Sequence, residues 1–293
     1  MEIVAGPEHA GERLDAFLAA PLGSRARAQR LIEDGAVRVD GAPVAKRHRV
    51  AAGEVVTVDE PPRPPDPGPV AVPFAVPYED EHLLVVDKPP GVVVHPARGH
   101  RQGTLAQALA GRAAGGDPGR AGIVHRLDRD TSGLLVVARS EEAHRRLRAA
   151  LQAREITREY LVLAEGRPPA RTGTIDAPLG RDRRVRTRMS TDTDEPRPAV
   201  THFAFERALP ATTLLRVRLE TGRTHQIRAH LRAIGHPVAG DPEYGTPGRL
   251  GLERQFLHAA RLAFAHPLTG APVDVASPLP ADLEAALERA ARE

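Results

Sequence analysis

The stretch HRLDRDTSGLLVVAR, from His125 to Arg139, places two carboxylates and two arginines directly before an apolar run, and a third arginine ends that run. Side chains this polar do not suit a buried strand, and a solvated loop needs no rigid support. Asp128 and Asp130 are the groups of this stretch that could do chemistry. Paired carboxylates hydrolyse glycosides, but two acids on one turn cannot flank a bond from opposed walls. The turn therefore presents charges to a partner that the rest of the chain has to identify.

The 13 histidines make metal-dependent hydrolysis a second candidate chemistry. His225 and His230 are five residues apart in a helical pattern, rather than the four that would align them on one face. His125 and Asp128 alone do not form a ligand set. Because the chain has no cysteine, thiolate nucleophiles, disulfides and cysteine zinc sites are excluded. We expect no metal site.

The composition indicates a folded protein that works on a polar partner. The 293 residues are 41% hydrophobic, which suffices for two domains, and no apolar stretch is long enough to span a membrane. The first residues do not resemble a signal peptide, and with no cysteine we expect a cytoplasmic protein without membrane association. The net charge is only +3, and Lys46 and Lys88 are the only lysines. Arginine suits phosphate binding and base stacking, but net charge alone does not identify nucleic acid as the partner.

A proline-rich segment, EPPRPPDPGPVAVPFAVP, divides the chain. So many prolines exclude a helix or a central strand and favour an extended, semi-rigid spacer. The sequence therefore predicts a small domain over residues 1–60, a linker over 61–77 and a large domain over 78–293.

Two helices and a hairpin are predicted before the spacer. GERLDAFLAA places Leu14, Phe17 and Leu18 on one helical face, and SRARAQRLIEDG forms a second helix with Ser24 as its N-cap. VRVDGAPV contains an Asp-Gly turn at Asp40–Gly41 between two strands, and GEVVTV adds a further strand.

This order of elements resembles the small RNA-binding domain named after ribosomal small-subunit protein four, the S-four domain. A solvated helix face is the ordinary alternative for a run of charges. The resemblance implies that RNA binds to the basic side chains of this domain, which are Arg25, Arg27, Arg30, Lys46, Arg47 and Arg49.

The large domain mixes strands and helices in irregular order, which favours an α+β fold with a mainly antiparallel sheet. The predicted strands are HLLVVDKP, GLLVVAR, EYLVLAEG and LLRVRLE. The predicted helices are TLAQALAGRAA, SEEAHRRLRAALQAR (capped by Ser140), THQIRAHLRAIG and ADLEAALERAAR. Two segments rich in Gly and Pro, GRAAGGDPGRAG and GDPEYGTPGRLGLE, are predicted to be mobile surface loops.

Four stretches of the large domain together resemble the RluA family of pseudouridine synthases. They are DKPPGVVVHPARGHRQGTL, HRLDRDTSGL, TREYLVL and TGRTHQIRAHLRAIGHPVAGDPEYG. The resemblance covers about residues 80–280, and an S-four-like domain before it is similar to members that modify large-subunit ribosomal RNA. Departures are mild: Asp87 stands where asparagine is common, and arginines replace many lysines.

The resemblance implies that a uridine is isomerised to pseudouridine without metal or cofactor. Asp128 matches the essential carboxylate, which could attack covalently or move protons. Arg228 matches the arginine that keeps this acid ionised. Tyr160 matches the active-site tyrosine, although periodicity alone fits a core tyrosine equally well. Asp130 is expected to cap the TSG turn instead.

The target uridine must leave its stack to reach a carboxylate, so we expect base flipping. Arg126 is the candidate to fill the gap, with a phosphate contact as the alternative. The other residues expected to bind RNA, some by framing the uracil and some by lining its path, are Arg223, His225, Gln226, Lys88 and His95. Leu257 and His258 are expected to close the pocket.

Two alternatives stay open at this point. One is an RNA-binding ribosome assembly factor that has lost catalysis, against which Asp128, Tyr160 and Arg228 argue. The other is a pseudouridine synthase that acts on transfer RNA. We expect a monomer, with RNA as the partner.

Overall fold

The computed structural model describes residues 1–23, 25–45, 47–59, 72–96, 102–117 and 122–293. The chain forms two compact units, Met1–Gly68 and Pro69–Glu293. Most of the predicted linker, together with Ser24 and Lys46, lies outside the described residues.

No helix among the described residues is both long and apolar enough to cross a membrane.

The first unit contains two helices packed on a small antiparallel sheet. The helices are α1 (Leu14–Phe17) and α2 (Arg25–Glu33), and the strands are β1 (Glu2–Val4), β2 (Val37–Val39), β3 (Ala42–Pro43) and β4 (Val55–Val58). The sheet order is β1-β4-β2-β3. Asp40 (φ 48°) and Gly41 (φ 79°) adopt the left-handed conformation that the predicted Asp-Gly turn requires. Leu14, Phe17 and Leu18 are buried, as their spacing predicts, whereas β1 was not predicted.

A buried carboxylate ties the two helices of this unit together. Asp15 is fully buried and accepts hydrogen bonds from Arg13, Arg25 and Gln29. The hydrogen bond from Arg13 holds the pKa of Asp15 far below its usual value, despite burial. Arg25 thus has a structural partner within the unit, and its side chain remains 52% exposed.

The second unit is built on a nine-stranded sheet. Its strands are β5 (Ala75–Glu79), β6 (Leu83–Lys88), β7 (Ser132–Ala138), β8 (Thr157–Glu165), β9 (Thr172–Asp176), β12 (Val200–Ala208), β13 (Thr212–Leu219), β14 (Leu257–Ala265) and β15 (Pro272–Ala276). A separate hairpin pairs β10 (Gly180–Arg181) with β11 (Met189–Ser190). The helices are α3 (Leu105–Ala108), α4 (Glu141–Gln152), α5 (Gln226–Ala233) and α6 (Ala281–Ala290).

The main path of the sheet runs β5-β6-β7-β14-β8-β13-β12-β9, and β15 pairs with β14. Every pairing of named strands is antiparallel except β7 with β14. The prediction of an α+β fold with a mainly antiparallel sheet is confirmed. The edge strand β5 begins at Ala75, inside the predicted linker, where an edge position tolerates Pro77.

The apolar run after the polar turn is an interior strand buried on both faces. Leu135 and Val137 of β7 belong to one hydrophobic cluster, and Leu134 and Val136 belong to another on the opposite face. A strand covered on both sides reads as a continuous rather than an alternating apolar sequence. The turn at Asp128 is therefore fixed directly to the centre of the unit.

The helices mostly match their predictions, with one exception. Ser140 caps α4 by accepting from the amide of Ala143, as predicted. The segment TLAQALAGRAA forms only the short helix α3, which begins with a reciprocal capping box between Thr104 and Gln107.

Candidate active site

A cavity of about 650 Å³ opens in the second unit, beside the polar turn. It is large enough for a nucleotide. The turn before β7, the middle of β8 and the start of α5 form its walls, and they contribute Asp128, Tyr160 and Arg228.

Asp128 faces this cavity and forms an ion pair within it. Its side chain is 18% exposed, and the Nη1 atom of Arg228 lies 3.3 Å from its Oδ2. The backbone carbonyl of Asp128 accepts from the amide of Thr131, which begins the path into β7. The carboxylate is thus accessible yet carried by a turn that packing holds still.

Arg228 is almost fully buried and has three acidic partners. Besides Asp128, its Nε and Nη2 atoms donate to Asp241 at 2.6 and 2.8 Å, and Nη2 donates to Glu243 at 3.1 Å. Burial alone would lower the pKa of Arg228, but the hydrogen bonds to Asp241 and the charges of all three acids raise it above its usual value. The guanidinium is therefore permanently charged and fixed in orientation.

The loop from Asp241 to Tyr244 builds the support for this arginine. Asp241 is fully buried and also accepts from the amides of Glu243 and Tyr244. The Tyr244 ring lies 4.9 Å below the guanidinium of Arg228, a cation–π distance. The hydroxyl of Tyr244 lies 3.1 Å from Nδ1 of His225, whose left-handed backbone (φ 52°) precedes α5.

The prediction that GDPEYGTPGRLGLE is a mobile surface loop is wrong at this point, because Asp241 and Tyr244 are buried site residues. These two residues and Glu243 were not predicted as site residues. The available signal was one of only three tyrosines standing beside acids in a turn-like segment.

Tyr160, His125 and Arg158 also line the cavity. Tyr160 is 5% exposed, and burial raises the pKa of its hydroxyl. His125 accepts the amide of Val136 at its Nε2 atom. Burial, followed by the charge of Arg158, lowers the pKa of His125 to about 3, so its ring is neutral at physiological pH. Arg158 was not predicted as a site residue.

Four residues expected to contact RNA, Arg126, Arg223, His95 and His225, lie at the cavity with exposed or partly exposed side chains. Arg126 is exposed, and the structure gives it no polar partner among the described residues. Arg223 is exposed, and its Nε atom donates to the carbonyl of Pro198. His95 also lines the cavity. Their contacts with RNA stay predictions.

The prediction that Lys88 lines the RNA path is wrong, because the side chain is fully buried. Its ammonium group donates to the carbonyls of Pro89, Val92 and Arg129 at 2.8 to 3.0 Å. Burial lowers the pKa of Lys88 to about 7. With all three donors used, Lys88 joins the end of β6 to the turn at Arg129 and has none left for a phosphate.

Gln226 also lines the cavity, but its side chain is buried and hydrogen-bonded within the protein, so its contact with RNA stays a prediction. Its amide nitrogen donates to Val200 and Thr201, and its oxygen accepts from Thr221 and from the amide of Arg223. These four bonds exhaust the capacity of the group. Gln226 fixes the loop that leads into α5.

Two smaller expectations also differ from the structure. The carboxylate of Asp130 pairs with its neighbour Arg129 at 2.9 Å rather than capping the TSG turn. Leu257 lines the cavity, whereas His258 is buried between Ser132 and the carbonyl of Ser277.

The basic residues predicted for the first unit are exposed where the structure describes them. Arg25, Arg27, Arg30 and Arg47 all lie at the surface of that unit. Arg49 is exposed as well and donates to the carbonyl of Gly11. Lys46 lies outside the described residues. RNA binding by these side chains stays a prediction.

Comparison with known proteins agrees with this geometry. Residues 82–233 match the family model described as RNA pseudouridylate synthase, and residues 12–56 match the S4 domain. An uncharacterised RNA pseudouridine synthase of Chloroflexus aurantiacus is 49% identical over 98% of this chain and 92% of its own length.

Two further proteins extend the comparison. The ribosomal large subunit pseudouridine synthase D of Nitrosomonas europaea is 43% identical over 98% of this chain and 87% of its own length. The solved structure of human RNA pseudouridylate synthase domain containing 1 is 30% identical, covers 73% of this chain and 86% of its own, and superposes with a TM-score of 0.57. The chain belongs to the RNA pseudouridylate synthase family.

Proposed function

We propose that this enzyme isomerises uridines of large-subunit ribosomal RNA to pseudouridine, with Asp128 as the catalytic carboxylate. Four relatives at 42–43% identity carry the name ribosomal large subunit pseudouridine synthase D, which supports this substrate. The observation that carries the catalytic assignment is the 3.3 Å ion pair between Asp128 and Arg228 at an open cavity.

The reaction breaks the bond from N1 of uracil to C1′ of the sugar and forms a bond from C5 to the same C1′. The proton on C5 is lost, and N1 gains one, so no atom and no electron is gained overall. An ionised carboxylate can serve either by attacking the sugar or by moving a proton. Both routes need Asp128 charged and within reach, which the partnership with Arg228 supplies.

Access to the sugar requires the uridine to swing out of its stack, at a cost of a few kcal/mol. The exposed guanidinium of Arg126, two residues before Asp128, is suited to take the place of the base between its neighbours. Tyr160 then offers its ring to the flipped uracil inside the cavity.

The catalytic assignment is tested with ribosomal RNA that carries tritium at C5 of uracil, in the presence of a chelator. We expect the wild-type protein to release tritium and Asp128→Asn to release none, while both bind the RNA with similar affinity. Asp130→Asn is the matched control, because it makes the same change two residues away in a carboxylate paired with Arg129. Release by Asp128→Asn, or loss in both variants alike, would show that the nucleophile is misassigned.

The RNA target is tested by mapping pseudouridines in a strain that lacks the protein. Loss of modification from large-subunit ribosomal RNA is expected. Loss confined to transfer RNA would replace the proposed substrate, and no loss in either RNA would favour a non-catalytic role.

We also propose that the first unit contributes affinity rather than chemistry. Replacement of Arg27, Arg30 and Arg47 together by Ser removes three exposed charges. We expect the slope of log K against log salt to fall by about 2 to 3 and the affinity to fall at least tenfold, because fewer counterions are released. Tritium release at saturating enzyme should stay unchanged, and an equal loss in rate would contradict this division of roles.

A further inference from the structure

Strand β8 presents different residues to its two faces. Arg158 and Tyr160 alternate with Glu159, and Tyr160 lies opposite Val217 of β13 while Glu159 lies opposite Arg218. Because side chains alternate along a strand, Arg158 shares the cavity face with Tyr160. Both residues line the cavity, and Glu159 does not.

The charged side chains on these two faces of β8 differ in whether they have ion-pair partners. On the outer face, Glu159 pairs with Arg216 at 3.6 Å and with Arg261 at 3.2 Å. On the cavity face, Arg158 is 9% exposed and forms no ion pair with any carboxylate among the described residues. A guanidinium withdrawn from water without a counter-charge is costly for the folded protein.

The hydrogen bonds of Arg158 leave it incompletely satisfied. Its Nη2 atom has only long contacts with the carbonyls of Leu219 and Glu220, at 3.4 and 3.5 Å. Its Nε atom is buried and has no partner in the described structure. A Cβ at Gly222 would lie 2.9 Å from Nη1, so a residue without a side chain leaves room for the guanidinium.

A second unpartnered donor lies in the same cavity wall. Nε2 of His125 accepts the amide of Val136, so the proton of the neutral ring is on Nδ1. That Nδ1 atom is buried and has no partner among the described residues either. Two donors without acceptors, one of them charged, indicate a ligand that carries negative oxygen.

We propose that Arg158, assisted by His125, binds a uracil carbonyl oxygen and stabilises the negative charge that the base acquires during isomerisation. This inference rests on the proposed function. When the N1–C1′ bond breaks, its electron pair stays with uracil and spreads onto O2 and O4. When the C5–C1′ bond forms, that charge is consumed, and Arg158 remains protonated throughout. Donors fixed before the reaction are well suited to such developing charge.

Uracil fits this position better than a phosphate does. Arg158 is nine-tenths buried beside Tyr160, whereas Arg126 and Arg223 are exposed at the same cavity. A phosphate remains on the strand that runs over the surface, and exposed arginines can meet it there. The flipped base is the part of the substrate that enters the cavity.

The test separates chemistry from binding. For Arg158→Met we expect the single-turnover rate of tritium release at saturating enzyme to fall about 10²- to 10³-fold, as for loss of a donor to developing charge. The RNA dissociation constant should change by less than about threefold, and its salt slope should not change. Arg158→Lys should recover part of the rate. The control is Arg218→Met, which removes an exposed arginine from the outer face.

A substrate with a better leaving group distinguishes charge stabilisation by Arg158 from a purely structural role. A structural role would make Arg158→Met slow the cleavage of both substrates equally. Fluorine at C5 stabilises the uracil anion, so cleavage of the N1–C1′ bond in 5-fluorouridine RNA should be less sensitive to Arg158→Met than cleavage in uridine RNA. The cleavage is measured as the amount of unreacted 5-fluorouridine or uridine that is recovered when the RNA is digested to nucleosides.

Two other results for Arg158→Met would overturn the inference. Weaker binding with a salt slope lower by about 1, at an unchanged saturated rate, would assign Arg158 to a phosphate. An unchanged rate and affinity would remove its role altogether. If Arg158→Met does not fold, Arg158→Gln, which keeps a polar stem without the charge, is measured in the same way. If Arg158→Met shows the expected fall in the rate of tritium release while Asp128→Asn still releases tritium, the inference about Arg158 stands and the assignment of Asp128 is wrong. If the wild-type protein releases no tritium, the proposed function and the inference about Arg158 are both wrong.

Discussion

The two walls of the cavity differ in how their charges are satisfied. The paired wall consists of Arg228, which lines the cavity, and of its supports Asp241 and Glu243, which are not among the lining residues; the arginine has hydrogen bonds to both acids and to Asp128. The open wall consists of Arg158, His125 and Tyr160, in which two donor nitrogens are buried and have no partner in the part of the chain that the structure describes. Both walls contain a buried arginine, but among the described residues only Arg228 has carboxylate partners.

We infer from this difference that the paired wall positions Asp128 and that the open wall recognises a group of the substrate. The paired wall fixes the charged guanidinium of Arg228 at 3.3 Å from Asp128 before any RNA arrives, so the pair needs no reorganisation. The open wall leaves donors for which residues 1–23, 25–45, 47–59, 72–96, 102–117 and 122–293 supply no acceptor. Unsatisfied buried groups are rare in folded proteins, and they concentrate at functional sites.

Among the variants that test the difference between the two walls, Asp241→Asn is expected to have the largest effect on stability and activity. The change removes the fully buried charge that neutralises Arg228, and breaking one partner of a buried pair costs about 3 to 5 kcal/mol. Without a fixed guanidinium, Asp128 also loses its orientation. We therefore expect a large fall in the free energy of unfolding, measured in urea, together with loss of tritium release.

The matched control for this change is Asp274→Asn. Asp274 receives the same two-pronged contact from Arg261, but both side chains are about half exposed, at 53% and 42%. Exposed pairs contribute about 1 kcal/mol or less. Equal destabilisation by the two variants would mean that burial does not distinguish the paired wall.

His125 of the open wall is expected to make the free energy of unfolding depend on pH. The pKa of His125 is about 3 in the folded protein, below its ordinary value of 6.5. Between these values the unfolded chain binds a proton that the folded protein does not, so stability falls as the pH falls. Between pH 7 and pH 5 this contribution is about 1 to 2 kcal/mol.

Replacement of His125 by Asn should remove that pH dependence. Urea unfolding at pH 7 and pH 5 should show a smaller loss of stability for His125→Asn than for the wild-type protein. His202→Asn, at a ring that is 40% exposed, is the control. The same loss in the wild type and in His125→Asn would mean that the ring is not held neutral by the open wall.

The core of the fold could be predicted from the sequence because its periodicity reports burial directly. The run GLLVVA identifies β7, and the alternation in LLRVRLE identifies β13. The helix α5 follows from Ile227 and Leu231, four residues apart on one buried face. Patterns of this kind depend only on residues that are close in the sequence, so they can be recognised without knowledge of the tertiary structure.

The candidate site was predicted less completely because its supports come from distant parts of the chain. Asp128 and Arg228 are 100 residues apart, and their pairing came from a family resemblance rather than from periodicity. Asp241 lies in a segment of Gly and Pro, for which composition indicates a loop but not burial. Lys88 and Gln226 have polar side chains that look available in sequence, yet carbonyls and amides brought together by the fold use all their hydrogen bonds.

The smallest effect is expected from Glu243→Gln, at the rim of the paired wall. The side chain of Glu243 is 32% exposed, and it contacts Arg228 at 3.1 Å, while Asp241 keeps two hydrogen bonds to the same guanidinium. A partly exposed partner of this kind contributes about 1 kcal/mol or less. We expect a change in unfolding free energy of that size and a fall in tritium release of less than about tenfold. A loss as large as that of Asp241→Asn would mean that the buried aspartate alone does not hold Arg228, and that the paired wall depends on its solvent-facing acid.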